Sequence, residues 1–203
     1  KAYKYVLETM GDKPVTIRTL DAGGDKLINS VDIPIVEESN PLMGLRAVRL
    51  SLEYPNLLKT QLRALYRASV YGNLRIMLPL ITSVDQVTSC IKLVDEVKKE
   101  LTFENVPFND KVPLGIMVET AAAAIISDCL ARVSDFFSLG TNDLTQYTLC
   151  IDRENQHVSA LYDEFHLGVL RLIQITITNA NEANIPVSVC GEMAGRQDSI
   201  MVL

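Results

Sequence analysis

The chain has no tryptophan, and only two of its 203 residues are histidine. It has no C-x-x-C pair, no G-x-G-x-x-G and no P-loop. Each absence removes a class. Cys90, Cys129, Cys150 and Cys190 lie too far apart for a zinc site or a dense disulfide framework. Each alone reads as a small buried hydrophobe, and together they point to a reducing, cytoplasmic compartment. Net charge is −6, so the clustered basic face of a nucleic-acid binder is missing. No apolar run reaches the roughly 18 residues of a membrane helix, which excludes membrane insertion by that route. "KAYKYVLETMGDK" lacks the apolar core of a signal peptide. The chain opens without Met and ends on the apolar "SIMVL", which reads as part of a longer protein.

Five continuous apolar runs stand out: "PVTIRTLD" (14–21), "LRIMLPL" (74–80), "PLGIMVET" (113–120), "DFFSLGTND" (135–143) and "IPVSVCGE" (185–192). Unbroken runs of this length read as parallel strands covered on both faces. Helical spacing lies between them. Leu57, Leu58, Leu62, Leu65 and Tyr66 recur at helical intervals in "NLLKTQLRALYRASVYG". Val84, Val87, Ile91, Val94 and Val97 do so in "SVDQVTSCIKLVDEVKKEL", with Ser83 as its cap. "AAAAIISDCLARV" and "VLRLIQITITNANEAN" are further helices, "NPLMGLRAVRL" is a loop turning into one, and "TFENVPFNDKVP" (102–113) is a loop. The alternation predicts an α/β fold with a parallel sheet.

Polar residues gather where these strands end: Arg18 and Asp21, Glu119, Asn142 with Asp143, Cys190 with Glu192. Active sites of (β/α)-barrels are built at the carboxyl ends of strands. Arg75 enters its strand early and fits this pattern least. Glu119 and Asp143 end successive strands about 4.8 Å apart, close enough for two carboxylates to share Mg²⁺. Asp143 reads equally as a helix cap. Arg18 sits in an apolar strand, where an arginine is costly unless paired. Arg46 lies at a loop-to-helix junction, Arg49 is ambiguous, and Arg63, Arg67 and Arg132 read as solvated helix residues. Guanidinium groups near a carboxylate pair describe a site for a phosphorylated carboxylate with a divalent metal. "DAGGDK" (21–26) could approach a phosphate or simply turn. Cys190, before Gly191, could transfer a proton.

Taken together, "TIRTLDAGGDK", "NPLMGLRAVRL", "LRIMLPLI", "GIMVETAAAA", "FFSLGTNDLTQYTL", "DREN" and "VCGEMAG" resemble the C-terminal phosphoenolpyruvate-binding domain of Enzyme I of the bacterial phosphoenolpyruvate:sugar phosphotransferase system. The resemblance runs through nearly the whole chain, in order. It implies a (β/α)8 TIM-type barrel of the phosphoenolpyruvate/pyruvate-binding kind, present here as about five of eight strands. Residues 1–203 would form part of that single domain, without the phosphohistidine and HPr-binding domains. Glu119 and Asp143 would ligate Mg²⁺. Arg18, Arg46, Arg75 and Arg153, with Asn142, would hold phosphoenolpyruvate, Arg75 also serving catalysis. Cys190 would protonate the methylene carbon as pyruvate forms. HPr, the phosphohistidine domain and a second copy of the chain are the implied partners. His157 and His166 lack the setting of the phosphoryl acceptor. Pyruvate phosphate dikinase and phosphoenolpyruvate synthase share several of the motifs and form the alternative, as does an inactive dimerisation fragment. The family usually has proline after the metal-binding Glu-Thr and an acidic residue in place of Arg196; here Ala121 follows Thr120.

Overall fold

Every run predicted as a strand contains one, and all the strand pairs defined below are parallel. The computed structural model describes residues 1–22 and 38–199. They fall into two compact units, residues 1–79 with 88–114, and residues 80–87 with 115 onward.

The first unit opens with helix α1 (Ala2–Met10), absent from the sequence reading because a single residue, Leu7, is buried along it. Strand β1 (Val15–Arg18) follows, then α2 (Ala47–Glu53), α3 (Pro55–Ala68), β2 (Leu74–Leu78) and most of α4 (Val84–Phe103). Strands β1 and β2 pair from Val15 opposite Leu74 to Arg18 opposite Met77. Proline opens α3, where its missing N–H costs nothing, and of the predicted face Leu58, Leu62, Leu65 and Tyr66 are buried while Leu57 is only partly covered. Ser83 caps α4 as expected, taking the Gln86 N–H at 3.4 Å. Arg63 is no free helix arginine: it pairs with Glu100 and Glu104.

The second unit holds β3 (Leu114–Val118, from Gly115 on), α5 (Ala121–Ile125), α6 (Ser127–Ala131), β4 (Phe137–Leu139), α7 (Thr141–Leu149), α8 (Leu167–Glu182) and β5 (Val187–Val189). Strand β4 pairs with β3 on one side and β5 on the other. Ile116, Val118, Phe137, Leu139, Val187 and Val189 line one face, while Met117, Ser138 and Ser188 line the other, as the period of two requires. Thr120 caps α5 by accepting the Ala123 N–H at 3.1 Å, so no proline is needed to start that helix. His166 caps α8 by accepting the Gly168 N–H on Nδ1 at 3.1 Å, a structural task for one of the two histidines.

Three expectations change. The strand predicted over 135–143 ends at Leu139, and Thr141, Asn142 and Asp143 form the first turn of α7. The helix predicted across "AAAAIISDCLARV" breaks at Ile126 into α5 and α6. Only Cys90 is a buried cysteine; Cys129, Cys150 and Cys190 are exposed. Burial pushes the Cys90 thiol up to about 12.

Alternating strand and helix with parallel pairing is the (β/α)-barrel pattern, and the described residues contribute five strands to it. No helix among them is long and apolar enough to cross a membrane.

Candidate active site

The register of the second unit places three residues in one row. Val118 lies opposite Leu139 and Leu139 opposite Val189, so the next residues are Glu119, Gly140 and Cys190. The ladder extends through this row: the Gly140 N–H donates to Val118 O at 3.1 Å and the Cys190 N–H to Leu139 O at 3.0 Å. A buried carboxylate and an exposed thiol therefore flank a position that has no side chain.

Glu119 is 2% exposed. Its Oε1 accepts the Leu80 N–H at 2.6 Å, a short charge-assisted bond. Leu80 provides that N–H from a left-handed backbone, φ 55°, rarely adopted by a branched residue. Beside it, the Thr120 hydroxyl donates to Ile81 O at 2.8 Å and ties the same turn to the end of β3. Gly140 completes the cradle, since a Cβ there would sit 2.8 Å from the Glu119 Cβ and 3.0 Å from its Oε2. A carboxylate accepts about four hydrogen bonds or metal contacts, so the Leu80 bond leaves it donor capacity toward a cation.

Asp143 is the third residue of α7, where the helix dipole favours a carboxylate. Its Oδ1 lies 3.1 Å from Arg153 Nη1. The Arg153 backbone N–H is held at 3.1 Å by the buried Gln146 Oε1. Asn142 is partly committed within the protein: its Oδ1 accepts the Glu192 N–H at 2.8 Å. Two carboxylates, one buried and one in a helical first turn, fit a hard cation that keeps waters and substrate oxygens in its shell. No group of three or more metal-binding side chains exists among the described residues, so Glu119 and Asp143 would have to act with non-protein ligands.

Cys190 is carried on a tightly fitted turn. A Cβ on Gly191 would approach Thr141 Oγ1 to 1.8 Å and Asn142 Oδ1 to 2.9 Å. Thr141 is fully buried and cannot step aside. We expect Gly191→Ala to cost about 1–3 kcal/mol, the usual range for overpacking. Chemical denaturation measures it; a midpoint unchanged from the parent protein would contradict this fit.

In the first unit Arg18 ends β1 and is substantially exposed, so the predicted burial penalty does not arise. Asp21, nearly buried, gathers two arginines: Arg18 Nη1 lies 3.1 Å from its Oδ2 and Arg46 Nη2 is 2.8 Å from its Oδ1. Two guanidiniums on one carboxylate leave positive charge for an anion. Arg49 donates to Met43 O at 2.6 Å and Gly44 O at 3.2 Å, which resolves it as a loop brace. Arg75 pairs across from Thr16, early in β2 and on the same face of the β1–β2 pair as Arg18. Gly23 and Gly24 of "DAGGDK" lie outside the described residues.

Asp21, Leu80 and Gln146 escaped the sequence reading as holders of site residues. Asp21 had a visible signal, a carboxylate three residues beyond Arg18. The other two act through contacts whose partners are remote in sequence or use the main chain.

The family model for "PEP-utilising enzyme, PEP-binding domain" matches residues 1–203. The phosphoenolpyruvate-protein phosphotransferase of Priestia megaterium is 47% identical over 202 residues, covering 100% of this chain and 35% of that protein. That of Lactococcus lactis subsp. lactis is 47% identical over 205 residues, with the same coverage. The chain thus spans about a third of these relatives. A crystal structure of a citrate lyase from Burkholderia xenovorans superposes with a TM-score of 0.50 at 20% identity, covering 64% of this chain and 40% of that one, a likeness of fold. With the match extending from the first residue to the last, this chain belongs to the family of phosphoenolpyruvate-binding domains of the PEP-utilising enzymes.

Proposed function

We propose that the chain is the phosphoenolpyruvate-binding part of a phosphoenolpyruvate-protein phosphotransferase, which passes the phosphoryl group to a protein histidine and then to HPr, releasing pyruvate for sugar uptake. The observation that carries this reading is the row Glu119, Gly140, Cys190, which sets a carboxylate and a thiol on either side of a glycine at the carboxyl ends of strands. The names of the relatives favour a phosphotransferase over a dikinase. Residues 1–203 are read as part of one barrel domain, with the acceptor histidine elsewhere in a longer, cytoplasmic, self-associating protein.

The roles follow from charge and proton accounting. Phosphoryl transfer asks a protein for alignment and charge neutralisation more than for covalent help. Arg18 and Arg46, oriented by Asp21, together with Arg75, Arg153 and the Asn142 amide, bind and orient the substrate's anionic groups. Glu119 and Asp143 would hold Mg²⁺, which supplies positive charge to the phosphoryl and enolate oxygens when bound. As the enol C–O–P linkage breaks at phosphorus, the electron pair stays on the enolate oxygen. It then returns to form the ketone while the methylene carbon takes the Cys190 proton. The exposed thiolate regains a proton from water.

Calorimetry on the complete phosphotransferase, titrating phosphoenolpyruvate with and without Mg²⁺, tests this. Tight binding only with Mg²⁺ is expected. Equal affinity in both conditions removes the metal assignment, and no binding in either removes the function.

A further inference from the structure

Arg153 belongs to an irregular segment, residues 150–158, so no helix or strand fixes its side chain. What does fix it includes a residue with no role so far. Tyr162 is partly buried, and its phenol O–H donates to the carbonyl oxygen of Asn142 at 3.2 Å. Burial pushes the phenol's pKa up, and the positive charge of Arg153 works against that shift. Arg153 is thus held at two points by α7, with Asp143 on its guanidinium and Gln146 on its backbone. Tyr162 and Asp143 act on the same first helical turn, because Asn142, whose carbonyl Tyr162 engages, immediately precedes Asp143.

We propose that Tyr162 is a positioning residue for phosphoenolpyruvate: its bond to the Asn142 carbonyl fixes the turn that carries Asp143, and through it holds the Asp143–Arg153 pair in one orientation at the start of α7. The inference rests on the proposed function, in which Arg153 binds the substrate. A free arginine side chain samples many rotamers, and a substrate that must order it binds less tightly. Tyr162 would perform that ordering in advance. The hydroxyl is the active element, since the ring alone offers neither donor nor acceptor.

The test is Tyr162→Phe in the complete phosphotransferase. The dissociation constant for phosphoenolpyruvate should rise roughly 10-fold, the low end for residues that orient ligands. Turnover at saturating substrate should be little changed, a split that general destabilisation would not produce. Arg153→Ala should weaken binding more, and adding Tyr162→Phe to it should cause no further loss. Two separately additive losses would show that Tyr162 does not act through Arg153. A second arm needs no substrate: the Arg153 side-chain N–H signal in nitrogen-15 NMR should be sharp in the parent protein and broadened in Tyr162→Phe. Unchanged affinity and an unchanged signal overturn the proposal. Absence of phosphoenolpyruvate binding by the parent protein overturns the proposed function instead, and the NMR arm still decides whether Tyr162 orders Arg153.

Discussion

Glu119→Gln in the complete protein should lower phosphoenolpyruvate-dependent turnover by roughly 10³-fold, the upper end for loss of one preorganised electrostatic group. The substitution is nearly isosteric. The glutamine carbonyl can still accept the Leu80 N–H, so the turn after β2 and the end of β3 stay tied. What changes is the charge: the proposed Mg²⁺ would lose one of its two anionic ligands and meet a neutral amide in a buried place. Binding of phosphoenolpyruvate in the presence of Mg²⁺ should weaken with turnover, while the melting temperature moves little. Steady-state kinetics and calorimetry on the same preparation separate these effects. A variant retaining parental turnover would show that Glu119 holds the turn and nothing more. A large fall in melting temperature with intact Mg²⁺-dependent binding would say the same.

Cys190→Ala should slow pyruvate formation by roughly 10²–10⁴-fold, the contribution expected of a positioned general acid. Its effect on folding should be small. The side chain is exposed and makes a weak sulfur donation to Leu139 O at 3.4 Å. The backbone N–H of residue 190 bonds that same oxygen and survives the substitution. Phosphoenolpyruvate should therefore bind as before. Phosphoryl transfer to the acceptor histidine need not be affected equally, since the proton is required only once the enolate exists. Rapid-quench measurement of phosphoprotein and pyruvate in the same experiment distinguishes the two steps. Pyruvate appearing at the parental rate would show that its proton comes from another donor.

Much of the fold could be read because parallel strands announce themselves as continuous apolar runs. "LRIMLPL" and "PLGIMVET" are buried almost throughout, and so is the strand within "DFFSLGTND". Strand ends were harder. In "DFFSLGTND" the polar triplet after Gly140 signals a helix start as readily as a strand end, and the helix wins once Leu144 N–H reaches back to Gly140 O at 2.9 Å. Helix α1 was missed because it buries one residue, too little to leave a stripe. The cysteines went wrong for a related reason: exposure at a strand end depends on neighbouring strands, which composition does not contain.

Of the candidate site residues, Arg18, Glu119 and Cys190 stand at strand ends as read, and what holds them was not legible. Asp21 reaches an arginine 25 positions away, and Glu119 is held by a main-chain N–H 39 positions away. Tyr162 reaches back 20 positions to a carbonyl. None of these leaves a local spacing to recognise. Each depends on which loops the strands bring together.

The bare position between Glu119 and Cys190 has a consequence for how the sheet tolerates change. The Glu119 side chain leans over Gly140, where a Cβ would come within 2.8–3.0 Å of Glu119 Cβ, its Oε2 and Met117 Cγ. The space above this stretch of main chain is thus already taken by the carboxylate, and one added methyl group would have to push it aside. A substitution at Gly140 would therefore act as a substitution of Glu119 without altering that residue: the neighbouring strand sets the direction of the carboxylate by what it leaves out.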